Sequence, residues 1–393
     1  MKKYINICNI YILLWCVYYL QGVLYAGGSI ISQAILLVLM LISGYYFIKV
    51  NSEYATPMFI KVLNIFLILM TIYGIIRIAD PTPIVGKYST SIFNKIDFLK
   101  EIYISLLPIY SMFAFAKIGT LKIESIQALT VILVISTTFS YFQAEQDALQ
   151  AAIEVGSMNE EFTNNVGYKF LHLFPLLFFW SKRPILQYVI LAYISTFIIM
   201  GMKRGAIIIG AACLIWFFYR TYKSASNRNK ILLISLTTIA IIIGASYIVD
   251  YYNTSEYFQY RVEQTIEGDS SGRDNLYNKL WDYFINQDSI FNILFGKGAM
   301  RTINIAGNYA HNDWFEILIC QGLIGIILYI AYYISLWLFV RQNRKNVLIY
   351  NISFMCIFIM FTSSLFSMSF NSLSISIALS LGYSFANDYN SVK

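Results

Sequence analysis

Charged side chains are scarce in this chain. Of its 393 residues, Asp, Glu, Lys and Arg together make up 12%, whereas apolar residues make up 58%. A soluble globular protein of this length carries about twice that charged share. Repeated apolar runs of about 20 residues instead match the ~30 Å hydrocarbon core of a bilayer. Because lipid cannot hydrogen-bond to the backbone, such runs must be helical, and the sequence predicts an all-α polytopic membrane protein.

Residues that bind metals or form disulfides are also few. The chain has two histidines and five cysteines, and every cysteine lies within an apolar segment. There is no Cys-x-x-Cys pair and no Cys/His spacing typical of a zinc site. Walker, Rossmann and nucleophile-elbow motifs are absent as well. We therefore expect no disulfide framework, no metal site and no cofactor.

The apolar runs predict about twelve transmembrane helices. They lie near residues 4–24, 29–48, 58–79, 99–117, 125–142, 165–181, 184–200, 205–222, 230–249, 312–340, 347–366 and 370–386. Placing both termini in the cytoplasm puts 16 of the 28 basic residues, but three of the 21 acidic ones, at cytoplasmic helix ends. This asymmetry is the usual signal of membrane orientation. The positive excess therefore gives no reason to expect nucleic acid as a partner.

The positions of the predicted helices divide the chain into three parts. Residues 1–249 carry helices one to nine, residues 250–310 form a large outer loop, and residues 311–393 carry helices ten to twelve. A connection of this length has a function of its own more often than not. Within it, apolar residues at helical spacing predict an amphipathic helix over residues 272–286. We expect that helix to rest on the membrane-facing rim.

Several cations stand on the outer side. Lys203 and Arg204 occupy a short turn between two membrane helices, where basic residues are disfavoured. They are either snorkelling anchors or ligands of an anionic head group, and the arginine fork suits a phosphate. Arg273, in the first turn of the amphipathic helix, is either paired with a neighbouring aspartate or part of a pyrophosphate cradle. Lys297 and Arg301 are further cations of the same loop.

His311 comes directly before the tenth helix. The apolar run that follows has 29 residues and would span about 43 Å at 1.5 Å per residue, more than a bilayer needs. We therefore expect His311 and Asn312 in an aqueous vestibule, where an imidazole can accept a proton. The alternative is a polar helix cap. His172, in the middle of a predicted helix, is expected to be a packed core residue. Outer aromatic residues such as Trp281 form an interfacial belt or stack on sugar rings.

Four short motifs follow one another along residues 200–330. They are Lys203-Arg204-Gly205-Ala206 at a helix start, Gly272-Arg273 ahead of Trp281, the turn Gly296–Gly298, and His311-Asn312 ahead of Gly322 and Gly325. In this order and on this side, the motifs resemble the O-antigen polymerase (Wzy)/O-antigen ligase superfamily of bacterial membrane glycosyltransferases. Elsewhere the resemblance depends only on the twelve-helix topology.

The resemblance implies a GT-C-like enzyme of the bacterial inner membrane, with its active site on the periplasmic side. Its donor would be a glycan linked to undecaprenyl pyrophosphate, and the reaction would invert the sugar centre without a metal. At matching positions, Arg204 and Arg273 would hold the pyrophosphate and His311 would act on the acceptor hydroxyl. The residues expected to support substrate binding are Lys203, Lys297, Arg301, Asn312 and Trp281. Lys203 departs from the family pattern, which often has a small polar residue there.

Polymerase and ligase share this chemistry and differ in the acceptor. We expect the polymerase, whose donor and acceptor are both lipid-linked glycans, because the His-Asn-Asp-Trp-Phe-Glu segment and the charge-poor composition resemble polymerases. Membrane lipids and a chain-length regulator are further expected partners. The alternatives are the ligase, which passes glycan to lipid A–core, and a lipid-linked glycan flippase or transporter. Transporters usually show two related halves and ionisable groups near the bilayer midplane, which this sequence lacks.

Overall fold

The computed structural model describes residues 6–24, 29–84, 94–154, 163–225, 227–266, 273–367, 369–370 and 374–388. All regular secondary structure within these ranges is helical. The two ends of the chain, residues 1–5 and 389–393, lie outside them, so the predicted cytoplasmic placement of the termini stays a prediction. The fold class is confirmed as all-α.

Eighteen α-helices are present in the described ranges, together with one short 3₁₀ helix, Phe178–Trp180. The α-helices are α1 (Ile7–Leu24), α2 (Ile30–Glu53), α3 (Met58–Ala79), α4 (Lys95–Leu106), α5 (Pro108–Lys117), α6 (Ile123–Glu154), α7 (Gly167–Leu171), α8 (Phe174–Leu177), α9 (Pro184–Met200), α10 (Arg204–Ser224), α11 (Asn227–Thr254), α12 (Glu256–Ile266), α13 (Arg273–Ile285), α14 (Ile290–Phe295), α15 (Arg301–Ala306), α16 (Asp313–Gln342), α17 (Val347–Phe366) and α18 (Ile375–Ala386).

Seven helical segments of the described chain are long and apolar enough to cross a membrane. They are α2, α3, α4 with α5, α6, α10, α16 and α17, and the shorter apolar helices are α1, α9 and α18. The chain is therefore an all-helical, multi-span membrane protein. The count of twelve spans stays a prediction.

Prolines set several helix boundaries. Pro184 stands in the first turn of α9, where its missing N–H costs nothing. Pro108 divides the predicted helix 99–117 into α4 and α5, because a proline removes an intrahelical hydrogen bond and clashes with the preceding turn. The prediction of one helix over 165–181 was wrong. This segment consists of α7, α8 and the 3₁₀ helix, and Pro175 interrupts it in the same way.

The segment predicted as the outer loop, residues 250–310, contains more helices than the one predicted from the sequence. Besides the predicted amphipathic helix, which is confirmed as α13, the described part of residues 250–310 contains the end of α11 and the helices α12, α14 and α15. The apolar side of α13 packs on the protein at Leu280, and the predicted position of this helix on the membrane-facing rim stays a prediction. Leu280 is fully buried by Ala310 and Ile319, so α13 packs on the protein through α15 and α16.

Helix α16 lies at the centre of the fold, in contact with α3, α13, α14, α15 and α17. It was predicted as one continuous helix over 312–340, but Gly322 interrupts it with φ 67° and ψ −161°. The backbone of the Gly296–Gly298 turn fills this break. Lys297 N–H donates to Ile319 O at 3.0 Å, and Gly298 N–H donates to Cys320 O at 2.9 Å. Carbonyls that the break releases are thereby satisfied, as buried backbone groups must be.

The two glycines of this junction permit the close approach. A Cβ on Gly322 would lie 2.5 Å from Leu294 O, and a Cβ on Gly296 would overlap the backbone of Cys320. Both residues also have positive φ. The Gly-Lys-Gly motif is therefore explained by packing against a broken helix, and no phosphate-binding role is needed to account for its glycines.

We expect Gly322→Ala to destabilise the protein strongly. The alanine would adopt a backbone conformation that is essentially restricted to glycine, and its Cβ would push the α14 backbone away, for a combined cost of about 2–5 kcal/mol. The control is Gly44→Ala in α2, where an added Cβ meets nothing within 4 Å. Thermal unfolding in detergent should show a lowered midpoint for Gly322→Ala alone. Equal midpoints for the two variants would contradict the packing account.

Candidate active site

Asn312 fixes the start of α16. Its side-chain oxygen accepts hydrogen bonds from the N–H groups of Trp314 (2.9 Å) and Phe315 (3.2 Å), as a helix N-cap does. Its side-chain amide donates to Leu365 O, near the end of α17, at 3.1 Å. Asn312 thus ties the start of one membrane helix to the end of the next and places His311 just outside both.

Arg273 reaches the same end of α17. This residue begins α13, and its Nη1 donates to Phe366 O at 3.1 Å, one residue beyond the carbonyl that binds Asn312. The Tyr277 ring stacks on Phe315 with centroids 4.9 Å apart and planes 11° apart. Burial raises the pKa of the Tyr277 phenol, while the Arg273 charge and hydrogen bonding by Asn312 and Arg273 lower it. These contacts hold Arg273 beside the start of α16.

The turn between α9 and α10 also lies close to the end of α17. Arg204 is the first residue of α10, and Lys203 stands at its N-cap. A Cβ on Gly205 would overlap the Tyr168 hydroxyl and lie 3.1 Å from the Phe366 Cβ. Only glycine therefore lets the start of α10 come so close to α7 and to the end of α17. The predicted motif residue Gly205 has a packing role that explains its place after the arginine.

His311 lies under the influence of these cations. The pKa of its imidazole is lowered by burial first, and then by the positive charges of Arg273 and Lys203. The three residues therefore lie near one another, although they come from three distant parts of the chain. We name Lys203, Arg204 and Arg273 the outer cation cluster. A lowered pKa keeps His311 neutral at physiological pH, the form that can accept a proton.

Helix ends add to the positive potential. Helices α10, α13 and α16 begin at Arg204, Arg273 and Asp313, so their N-terminal ends lie in this region, although Asn312 already binds the N–H groups of Trp314 and Phe315 in α16. Each helix end carries roughly half a positive charge. Together with the outer cation cluster, they form an environment suited to a multiply charged anion such as a diphosphate.

Backbone strain marks the same segments. Among the described residues, those other than glycine with positive φ are Met202, Met300 and His311, at 49°, 60° and 52°. Two of them adjoin the outer cation cluster, and such conformations cost about 1–3 kcal/mol each. Strain of this kind is concentrated at functional sites, where the surrounding contacts enforce it.

Asp313 is an anchor that the sequence did not reveal. Its buried carboxylate accepts hydrogen bonds from Tyr329 Oη (2.6 Å), Ser369 Oγ (2.6 Å), Ser369 N–H (2.8 Å) and Phe370 N–H (3.1 Å). These bonds fix the chain that follows α17 to the start of α16. The Leu365 and Phe366 carbonyls, which hold Asn312 and Arg273, lie just before that anchored segment.

Three other residues have a predicted substrate role: Lys297, Arg301 and Trp281. Arg301 forms an ion pair with Asp80, and its Nε donates to Lys297 O at 3.2 Å. Trp281 lies on α13 with its side chain 48% exposed. The substrate role of these residues stays a prediction.

Asp80 is the centre of a second ionic cluster, which we name the Asp80 cluster: Arg77, Asp80 and Arg301. Arg77 Nη1 donates to the Asp80 carboxylate at 2.9 Å. Hydrogen bonds from Thr82 lower the pKa of Asp80 to about 2, and the charges of Arg301 and Arg77 contribute to that shift. The carboxylate is thus ionised at any physiological pH.

The outer cation cluster and His311 all lie within the part of the chain that matches a known family model. Residues 189–330 match the Wzy_C family model, described as O-antigen ligase. A comparison with curated protein sequences gave no match. In the described part of the chain, no three His, Cys, Asp or Glu side chains are grouped so that they could hold a metal ion.

Proposed function

Because the chain carries an O-antigen ligase family domain over residues 189–330, we propose that it is a membrane glycosyltransferase that uses a polyprenyl-pyrophosphate-linked glycan, in bacteria undecaprenyl pyrophosphate. The observation that supports this most directly is the convergence of Arg273 and Lys203 on His311. A diphosphate leaving group needs cations, and a hydroxyl nucleophile needs a base. One site offers both.

The proposed reaction is a single displacement at the anomeric carbon of the donor sugar. The acceptor hydroxyl forms the new C–O bond while the bond between that carbon and the diphosphate oxygen breaks, and the bonding electron pair leaves with the diphosphate. The outer cation cluster and the N-termini of α10 and α13 stabilise the charge that develops on the diphosphate. His311 takes the proton of the hydroxyl. Attack opposite the leaving group inverts the sugar centre.

The pKa of His311 makes the activity depend on pH in a defined way. Because burial and two cations lower that pKa in the free enzyme, we expect the acidic limb of kcat/KM to lie below the ordinary histidine value of about 6.5. A bound diphosphate adds negative charge nearby and raises the pKa of His311 again. The acidic limb of kcat should therefore lie at higher pH than that of kcat/KM. Both profiles can be measured on purified protein with a labelled donor.

Lys203→Ala provides the control for this prediction. Removing one of the two cations should move the acidic limb of kcat/KM towards higher pH, because less positive charge opposes protonation of His311. An unchanged limb in Lys203→Ala would show that this lysine does not act on the base.

The favoured activity is that of an O-antigen polymerase, with the ligase as second candidate. The polymerase is supported by the resemblance of the His311–Glu316 segment to polymerases, and the ligase by the description of the matching family. We place the protein in the bacterial inner membrane, with both termini in the cytoplasm and His311 on the periplasmic side. Lipid-linked glycans, membrane lipids and a chain-length regulator are the proposed partners.

A deletion strain separates the two activities. Loss of a polymerase leaves lipopolysaccharide with a single repeat unit, whereas loss of a ligase leaves lipopolysaccharide without any. We expect the single-unit band on a gel, restored to a full ladder by the wild-type gene. Lipopolysaccharide without any repeat unit would assign the ligase, and an unchanged ladder would remove both assignments.

A further inference from the structure

The Asp80 cluster carries more positive than negative charge. Two arginines share one carboxylate, and the Lys95 ammonium donates to the Asp80 backbone carbonyl. Arg77 is 1% exposed, and among the described residues its Nε has no hydrogen-bond partner. A buried guanidinium with excess charge and an unused donor is costly unless an anion compensates it. Arg301 is 25% exposed, so it makes the cluster accessible from outside.

Hydrogen bonds between separate segments hold the Asp80 cluster in place. Arg77 Nη2 donates to Asn304 on α15 at 3.1 Å, and the Asn304 amide donates to Pro83 O at 3.0 Å. These bonds join the end of α3 to α15, which in turn contacts α13 and α16. The guanidinium groups are therefore held in place before any ligand arrives, as a preorganised anion site requires.

In glycan transfer between two lipid-linked glycans, the donor phosphate and the acceptor phosphate must bind at separate positions, because opposite ends of the two glycans react. The donor bond that breaks joins the sugar to its diphosphate, so the donor diphosphate must lie beside His311. The attacking hydroxyl of a lipid-linked acceptor belongs to the other end of its glycan. The acceptor phosphate must therefore lie a glycan length away from His311, and on the same side of the membrane.

The chain sets an upper limit on that separation. Arg301 begins the six-residue helix α15, and His311 follows Ala306 by five residues. With 1.5 Å per helical residue and at most about 3.6 Å per extended residue, Arg301 and His311 cannot be more than about 25 Å apart. A short oligosaccharide can bridge a distance of this order.

We propose that the Asp80 cluster binds the phosphate of the lipid-linked acceptor, with Arg301 as its main ligand and Arg77 supporting it. This inference rests on the proposed function, and it assigns the acceptor end of the same reaction. Without acceptor, Asp80 pairs with both arginines and offsets part of their charge. A diphosphate competes with Asp80 for them, because guanidinium groups bind phosphate oxygens in pairs.

The test compares two variants with opposite expectations. Both are purified as full chains in phosphatidylcholine nanodiscs and assayed with a labelled donor. The acceptors are the repeat unit on a short polyprenyl diphosphate and the same repeat unit on an uncharged alkyl chain. Arg301→Gln should raise the KM of the diphosphate acceptor about 10-fold or more, and leave the KM of the uncharged acceptor unchanged. Asp80→Asn should lower the KM of the diphosphate acceptor, because the competing carboxylate is gone.

A purely structural ion pair gives a different result. Both variants would then raise KM or lower kcat alike with both acceptors, and that outcome overturns the proposal. Should Arg301→Gln fail to fold, Asp80→Asn alone tests the proposal. A raised KM of this variant for the diphosphate acceptor would contradict acceptor binding by the Asp80 cluster. If lipid A–core is the accepted substrate, the same contrast is made with its phosphorylated and dephosphorylated forms. Transfer to no acceptor by the wild-type protein would instead contradict the proposed function.

Discussion

Arg273→Ala should abolish long-chain surface polysaccharide. The arginine begins α13, is fixed to the end of α17 by its bond to Phe366 O, and acts on His311 through its charge. Removing it takes away a preorganised donor for the leaving diphosphate, a loss of about 100-fold to 1,000-fold in transfer rate. Arg204→Ala, at the start of α10, should have a comparable effect. Complementation of a deletion strain, followed by a lipopolysaccharide gel, measures both.

Two variants control for general damage. Lys279→Ala removes an exposed cation from the same helix α13 and should leave the ladder unchanged. Arg273→Lys keeps the charge but loses the fork that grips two oxygens, so it should restore activity only in part. A normal ladder from Arg273→Ala, at wild-type protein levels, would remove the pyrophosphate role of this arginine.

His311→Asn should reduce transfer by about 100-fold to 10,000-fold, the range expected when a general base is lost. Asparagine is the appropriate replacement because His311 has φ 52°, and asparagine tolerates that left-handed conformation better than most residues. The fold should therefore persist. Binding of the donor should persist as well, since the outer cation cluster is intact.

Rate and binding must be measured together on the purified variant. We expect a large loss in kcat with little change in the affinity for a polyprenyl diphosphate. A variant that transfers glycan at the wild-type rate would show that His311 is no base. Lost diphosphate affinity with an unaltered kcat would assign His311 to binding instead.

The positions of the apolar helices could be predicted from the sequence, because a bilayer demands apolar runs of defined length. The breaks could not. Gly322 stands in a mostly apolar run, directly after Gln321, and its positive φ is explained by the Gly296–Gly298 turn that packs into the break. Nothing local to either segment shows that pairing. Pro175 carried a local signal for the broken segment 165–181, but the apolar pattern outweighed it.

The same distinction holds for the site. The order of Arg204, Arg273 and His311 along the chain indicated a common role, and the structure brings the segments that carry them together. Their contacts are tertiary, and therefore invisible in sequence: Arg273 binds Phe366 O, 93 residues away. In the sequence, Arg301 is a further cation of the loop that carries Arg273. Its partner Asp80 lies 221 residues earlier, and this pairing assigns Arg301 to another cluster.

Asp313 shows that residues next to one another in the sequence can have different roles, which only the structure reveals. It follows His311 and Asn312 directly and carries a charge, yet it is completely buried and accepts hydrogen bonds from Tyr329, Ser369 and Phe370. Its partners belong to α16 and to the chain beyond α17. Only their arrangement shows that Asp313 is a buried anchor of the start of α16.

A structure of the protein with undecaprenyl pyrophosphate bound in nanodiscs, determined by electron cryo-microscopy, is the most direct test of the central claim. The account predicts that the diphosphate lies within hydrogen-bonding distance of Arg273 and Arg204, with the His311 imidazole facing the glycan-bearing end. A diphosphate bound away from all three residues, with no ligand density between the starts of α10, α13 and α16, would contradict it.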